Sequence, residues 1–240
     1  GWMQVGLIVV CTGKYDRFLQ PLIDSAEKYF FNGQNYDIYL FTDAPHASPR
    51  ASRGTIYIKA IEHIPFPFAT LYRYKYMSEN RDMFTAENLF YIDADMRFVG
   101  DVGGEILPDH RGLVAVRHPG FWKVGWGSRK THHRSLAYVP PEQQYGYMCG
   151  GIQGGERNAY LDAADEMWRN TLIDFEVALE IGFTANSGIL AEYHDESHWN
   201  AYLKKHPFKA MPPSYCYPET WNIPFEKKIL ALKKNHKEVR

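Results

Sequence analysis

No apolar run in this chain approaches the roughly 20 residues that a membrane span requires. The start, Gly1-Trp2-Met3-Gln4, has no secretory leader pattern, so a soluble, cytoplasmic protein is expected. Cysteine is scarce, with Cys11, Cys149 and Cys216 far apart. An odd set without a C-x-x-C pair offers neither a disulfide framework nor a cysteine zinc site, and it suits a reducing compartment. An excess of either charge is missing too: 27 basic residues face 28 acidic ones, for a net charge of −1. That balance gives no basic field for nucleic acid. Internal repeats and low-complexity segments are absent.

What is present is an apolar fraction of 45% and an aromatic fraction of 15%, including 17 Tyr and 6 Trp. The apolar content suits a globular core. The aromatics read equally as core packing or as rings for the apolar faces of sugars. The 240 residues fit one large α/β domain or two small ones, and no composition break forces a boundary.

Short apolar runs at 4–12, 36–42, 55–61 and 88–92 read as strands. Helical spacing at 16–31, 68–83 and 156–181 separates or follows them. Strand and helix in alternation predict a mainly parallel sheet covered on both faces. In such sheets ligands bind beyond the carboxyl ends of the strands, so Tyr15 and Asp93 are expected to lie near one site. Residues beyond 100 are less regular, with a Gly- and Trp-rich stretch at 118–128 and the run GGIQGG at 150–155.

Two clusters carry chemistry. Asp93-Ala94-Asp95 ends the strand at 88–92. Two carboxylates one residue apart can converge on a hard divalent cation with positions open for phosphate oxygens, though a D-x-D triplet is also an ordinary solvated turn. His194-Asp195-Glu196-Ser197-His198 precedes the helical Trp199–Leu203. Asp195 there could simply cap a helix. Alternatively Glu196 could face an anomeric carbon, as carboxylates do in retaining sugar chemistry. Zinc is a third use of the two histidines, although H-E-x-x-H is not matched.

Nine segments in order along the chain resemble the family 6 glycosyltransferases, which include the histo-blood group A and B transferases. They are SAEKYF (25–30), YLFTD (39–43), YIDADMRF (91–98), GGEIL (103–107), HPGF (118–121), AYVP (137–140), GGIQGG (150–155), YHDESHWNAYL (193–203) and KNHKEVR (234–240). The resemblance implies a GT-A fold: one Rossmann-like, mixed, mainly parallel sheet with helices on both faces. It further implies a nucleotide-binding half at 1–100, an acceptor and catalytic half at 101–226, and a mobile tail at 227–240 that closes over UDP.

The implied reaction transfers N-acetylgalactosamine or galactose from a UDP donor in α-1,3 linkage, with retention, to a galactoside-type oligosaccharide, glycolipid or lipopolysaccharide. A microbial or phage setting is implied. By position, Asp93 and Asp95 would hold Mn²⁺, with Mg²⁺ as the alternative, and Glu196 would be the catalytic carboxylate. Val10, Thr12 and Tyr15 would form the uridine pocket. Arg73, Ala94, His194, Asp195, Lys234 and Arg240 would contact the donor. His118, Tyr193, Glu196 and Glu219 would face the acceptor.

Cys149, Gly150 and Gly151 match the positions that separate the two donor sugars. The glycines favour N-acetylgalactosamine, whereas Cys149 departs from the family's usual residues; backbone packing at a turn is the plainer reading of the glycines. Arg73 and the tail cations also admit a plain surface role. Residues 122–134 and 171–187 depart from the family, which leaves the acceptor open. The rival functions are an inactive sugar-binding module and a zinc hydrolase.

Overall fold

The computed structural model describes residues 3–44, 48–64, 71–127, 131–181 and 194–233. Its main sheet has seven strands: β1 (Val5–Cys11), β2 (Tyr36–Thr42), β3 (Gly54–Ala60), β4 (Asn88–Ile92), β6 (Leu113–Arg117), β7 (Met148–Glu156) and β8 (Phe208–Met211). Their spatial order is β3-β2-β1-β4-β7-β6-β8. β7 runs antiparallel to both neighbours, while the other pairings are parallel. The sheet is therefore mixed and mainly parallel, as a GT-A, Rossmann-like fold requires. Three further strands, β5 (Met96–Phe98), β9 (Tyr217–Pro218) and β10 (Ile229–Ala231), form a small second sheet.

Alternation along the strands builds two cores. Leu7, Val9, Ile38, Leu40, Phe90 and Ile92 point to one face, with Leu19, Leu22, Ile23 and Ala26 of helix α1 (Asp16–Tyr29). Ile8, Tyr39, Phe41, Leu89 and Tyr91 point to the other. That second face is covered by α2 (Arg73–Glu79), α3 (Arg157–Ile181) and α4 (His194–Leu203). Period two in a strand makes neighbours serve opposite faces, so a strand buried on both sides reads as a continuous apolar run.

α1 stops two residues earlier than its apolar spacing suggests. Phe31 takes φ +44°, and the Arg53 guanidinium gathers the carbonyls of Ala26, Glu27, Phe30, Phe31 and Gln34 around the helix end and the turn after it. The larger departures lie beyond residue 100. β6, β7 and β8 complete the main sheet where the sequence looked irregular, and α4 already begins at His194. β7 was obscured by its four glycines, which lower strand propensity. Space demands two of them: a Cβ on Gly154 would stand 2.2 Å from the Leu89 carbonyl oxygen, and one on Gly155 2.3 Å from the Gly112 carbonyl oxygen.

Candidate active site

β1 and β4 are parallel neighbours, with Ile8 opposite Tyr91, so the loops after them leave the same edge of the sheet. Val10 lies near the end of β1 and packs on the core of the second face; Thr12 and Tyr15 bracket the 3-10 turn Gly13–Tyr15. Asp93 follows β4 directly. Because β7 is antiparallel to β4, the start of β7 arrives at that same edge. The Asp93 N–H donates to the Gly151 carbonyl at 2.8 Å. Ala94 is buried behind the turn, and Asp95 is 8% exposed.

Arg73 enters from α2 and is 5% exposed, so it is no surface helix residue. Its guanidinium donates to the Gly150 carbonyl at 2.7 Å and the Asp93 Oδ1 at 3.2 Å, and it pairs with the Asp195 Oδ2 at 2.8 Å. It also lies over the Tyr91 ring, 4.2 Å from the centroid. Burial opposes its charge, but Asp195, then Tyr91 and Asp93, hold the guanidinium proton well above its ordinary value. One cation thus ties three separate chain segments together.

Asp93 is short of positive charge in spite of Arg73. Burial pushes its carboxyl up to about 6; Arg73 opposes this, and Asp95 adds to it. The side chain keeps 35% of its surface, so the carboxylate is set in a buried rim yet reachable. Tyr91 Oη donates to its Oδ1 at 2.8 Å, the same oxygen that Arg73 takes. Oδ2 lies over Gly151, where an added Cβ would come within 3.0 Å of it. A carboxylate raised by burial beside a second carboxylate is a fitting cradle for a hard cation.

Glu196 sits in the first turn of α4. Tyr147 Oη donates to its Oε1 at 2.6 Å and the Gly150 N–H to its Oε2 at 2.8 Å. Burial pushes this carboxyl up to about 7, against the pull of those two donors. A Cβ at Gly150 would meet the Glu196 Cβ at 3.0 Å. Consecutive glycines therefore carry the two acidic groups: Gly150 is covered by Glu196, and Gly151 by Asp93. The close packing favours a small residue at both positions. Asn200 fastens α4 to β7, accepting from the Met148 N–H and donating to its carbonyl, each at 2.8 Å.

The His118 backbone N–H donates to the Tyr147 carbonyl at 3.0 Å. Burial pulls the His118 imidazole down to about 4. Its Nδ1 accepts from the Gly120 N–H at 3.0 Å, which leaves Nε2 as the protonated donor. The rings of Phe121 and Tyr147 pack around it. Trp221, 48% exposed, reaches toward Gly120 and His118. Glu219 is exposed in the turn after β9, its backbone N–H bonded to the Ala231 carbonyl.

The remaining predicted residues divide. Cys149 is buried at the start of β7 and turned into the core of the first face, beside Cys216. His198 is buried, with its Nε2 3.3 Å from the Asp174 Oδ2 of α3. Tyr193, Lys234, Arg240 and the His194 side chain lie outside the described residues. The Leu232 N–H bonds the Asp95 carbonyl at 3.1 Å, so the chain enters its tail beside the acidic pair. Sequence reading missed Tyr147 and Tyr91. Tyr91 could have been found by period two, since it is one same-face step from Asp93; Tyr147 had no local signal.

Comparison with known proteins decides the family: the sequence profile of glycosyltransferase family 6 matches residues 2–240. The chain belongs to that family. It is 30% identical over 250 residues to histo-blood group ABO system transferase 1 of Rattus norvegicus, covering 98% of this chain and 68% of the rat protein. It is 28% identical over 242 residues to globoside alpha-1,3-N-acetylgalactosaminyltransferase 1 of Canis lupus familiaris, covering 96% of this chain and 65% of the dog protein. A third relative, alpha-1,3-galactosyltransferase 2 of Homo sapiens, is 26% identical over 239 residues, which is 90% of this chain and 63% of the human protein. This family 6 member is thus a glycosyltransferase, with a sugar donor and a glycan acceptor. Among its described residues no helix is long and apolar enough to cross a membrane.

Proposed function

We propose that this glycosyltransferase moves N-acetylgalactosamine, or galactose, from a UDP donor in α-1,3 linkage, with retention, onto a galactoside-type glycan, aided by Mn²⁺ or Mg²⁺. The observation that carries the reading is the shared cradle on β7: Gly150 donates to Glu196, and the next residue, Gly151, accepts from the backbone of Asp93. A carboxylate able to meet an anomeric carbon and a carboxylate able to hold a cation at a diphosphate are thereby fixed one residue apart. The printed activities of the relatives, alpha-1,3-N-acetylgalactosaminyl and alpha-1,3-galactosyl transfer, support the linkage and the pair of donor sugars.

Asp93 and Asp95 would hold the divalent ion, which supplies positive charge to the departing diphosphate. Arg73 neutralises Asp93 and Asp195 together and keeps both aimed at the cleft. Glu196 acts in its ionised form, as nucleophile or as stabiliser of positive charge on the sugar. Its carboxyl, pushed up to about 7 by burial, is about half ionised at neutral pH. His118 Nε2–H offers a donor to an acceptor hydroxyl. The exposed Trp221 ring beside it offers an apolar face to an acceptor sugar.

A panel of UDP-galactose, UDP-N-acetylgalactosamine, UDP-glucose and UDP-N-acetylglucosamine, each with mixed galactoside acceptors and with Mn²⁺ or a chelator, tests this by mass spectrometry and NMR. The expected result is an α-linked product from one or both galacto-configured donors, lost on chelation. A β-linked product, or no consumption of either galacto donor, would overturn the reading.

A further inference from the structure

We infer that Tyr147 is a positioning residue for the catalytic carboxylate, holding Glu196 in one rotamer through its phenol while Gly150 holds the other oxygen. The inference rests on the proposed role of Glu196 and goes beyond it by naming what fixes that role. Tyr147 lies just before β7 and is 1% exposed. Its ring is clamped by Trp126 at 4.8 Å, Phe121 at 5.4 Å and His118 at 5.5 Å. Gly127 closes the remaining side; a Cβ there would stand 2.6 Å from the ring. A ring boxed in this way is held to one rotamer, so the direction in which its C–O bond points is set by packing.

That direction is onto Glu196 Oε1 at 2.6 Å, a short bond between a neutral donor and a carboxylate. With Gly150 N–H on Oε2, each oxygen gives one lone pair to the protein. The carboxylate plane is then fixed, and its other lone pairs are kept for the substrate. A glutamate has three rotatable bonds, and an unheld one would spend much of its time out of line.

The groups facing Glu196 come from four places. They are Asp195 on its own helix, Arg73 and Tyr74 on α2, Tyr147 and Gly150 at the start of β7, and Cys216 in the turn before β9. Of these, Tyr147 and the Gly150 N–H donate directly to the carboxylate. Tyr147 also joins the two sides of the cleft, since the His118 N–H donates to its carbonyl while its phenol reaches Glu196. A change in the acceptor-side aromatics is therefore transmitted to the catalytic acid group.

The test compares wild type, Tyr147→Phe, Glu196→Gln and the double variant with whichever UDP-sugar of the donor panel the wild type consumes. Tyr147→Phe should lower kcat about 10-fold with little change in donor KM, the scale of one hydrogen bond to a charged group. The acid limb of its kcat–pH profile should move to higher pH, because the carboxylate has lost a donor. In the Glu196→Gln background the same change should add little. Wild-type kcat and pH profile in Tyr147→Phe, or an equal loss in the Glu196→Gln background, would overturn the inference. If Tyr147→Phe fails to fold, 3-fluorotyrosine placed at 147 keeps the shape and strengthens the donor; the acid limb should then move down, and an unmoved limb counts against the contact. If wild type consumes no UDP-sugar, the proposed function fails by itself. The Glu196 midpoint, read by ¹³C-carboxyl NMR titration, still decides the inference: it should rise in Tyr147→Phe, and an unchanged midpoint overturns it.

Discussion

Glu196 is costly to the fold. Its folded value of about 7 stands above the ordinary 4.5 because burial opposes its charge. A raised acid holds its proton more tightly in the folded chain, so its contribution falls as pH rises through the window between those two values. Glu196→Gln should therefore be more stable than wild type at pH 8, by about 1–2 kcal/mol, with the gap closing toward pH 5. Turnover should fall by roughly 10²-fold or more, the loss expected for one well-placed catalytic group. Thermal melts across pH, paired with donor turnover, check both; an enzyme that stays fast would remove Glu196 from catalysis. The identity of this residue was legible in YHDESHWNAYL, and the neighbouring acid pair was legible in YIDADMRF. Their mutual arrangement was not, because Tyr147 and Arg73 reach them from segments 49 and 20 or more residues away.

Among the secondary-structure elements, β7 decides most. It crosses the middle of the sheet against β4 and β6, and its first residues carry the site. Its glycines differ in what they tolerate. At Gly154 a Cβ would collide with backbone at 2.2 Å, which cannot yield without parting β4 from β7. At Gly151 the nearest atoms are side-chain termini, Asp93 Oδ2 at 3.0 Å and Met96 Sδ at 3.2 Å. Gly154→Ala should cost about 3 kcal/mol or more and yield mostly insoluble chain. Gly151→Ala should fold, lose less than about 1.5 kcal/mol and show weakened Mn²⁺ binding through a displaced Asp93. Denaturant unfolding of both variants checks the contrast, and equal losses would contradict this account of the packing. The N-terminal strands were readable because apolar runs mark burial on both faces. β7 was not, since a strand chosen for closeness looks like a turn.

For the whole molecule, cation binding and folding should be linked. If Asp93 and Asp95 hold Mn²⁺ as proposed, the ion would stabilise the folded chain by about 2.7 kcal/mol at 100 times its Kd. For a domain of this size that raises Tm by several degrees. The Asp93 carboxyl at about 6 must lose its proton to bind the ion, so the Tm gain should shrink as pH falls from 7 to 5. Calorimetry with and without Mn²⁺ reads this. A full gain retained in Asp93→Asn or Asp95→Asn would place the ion elsewhere. The amino-acid order by itself determined the α/β class and the family, and it singled out the acidic candidates, since periodicity and short motifs are local properties. Only the tertiary structure decided that β7 reverses direction, that its Gly150 and Gly151 bring the separate acids together, and that buried Arg73 and Tyr147 hold them. Close approach and charge pairing between distant segments depend on which surfaces the folded chain brings into contact, and no local pattern records that.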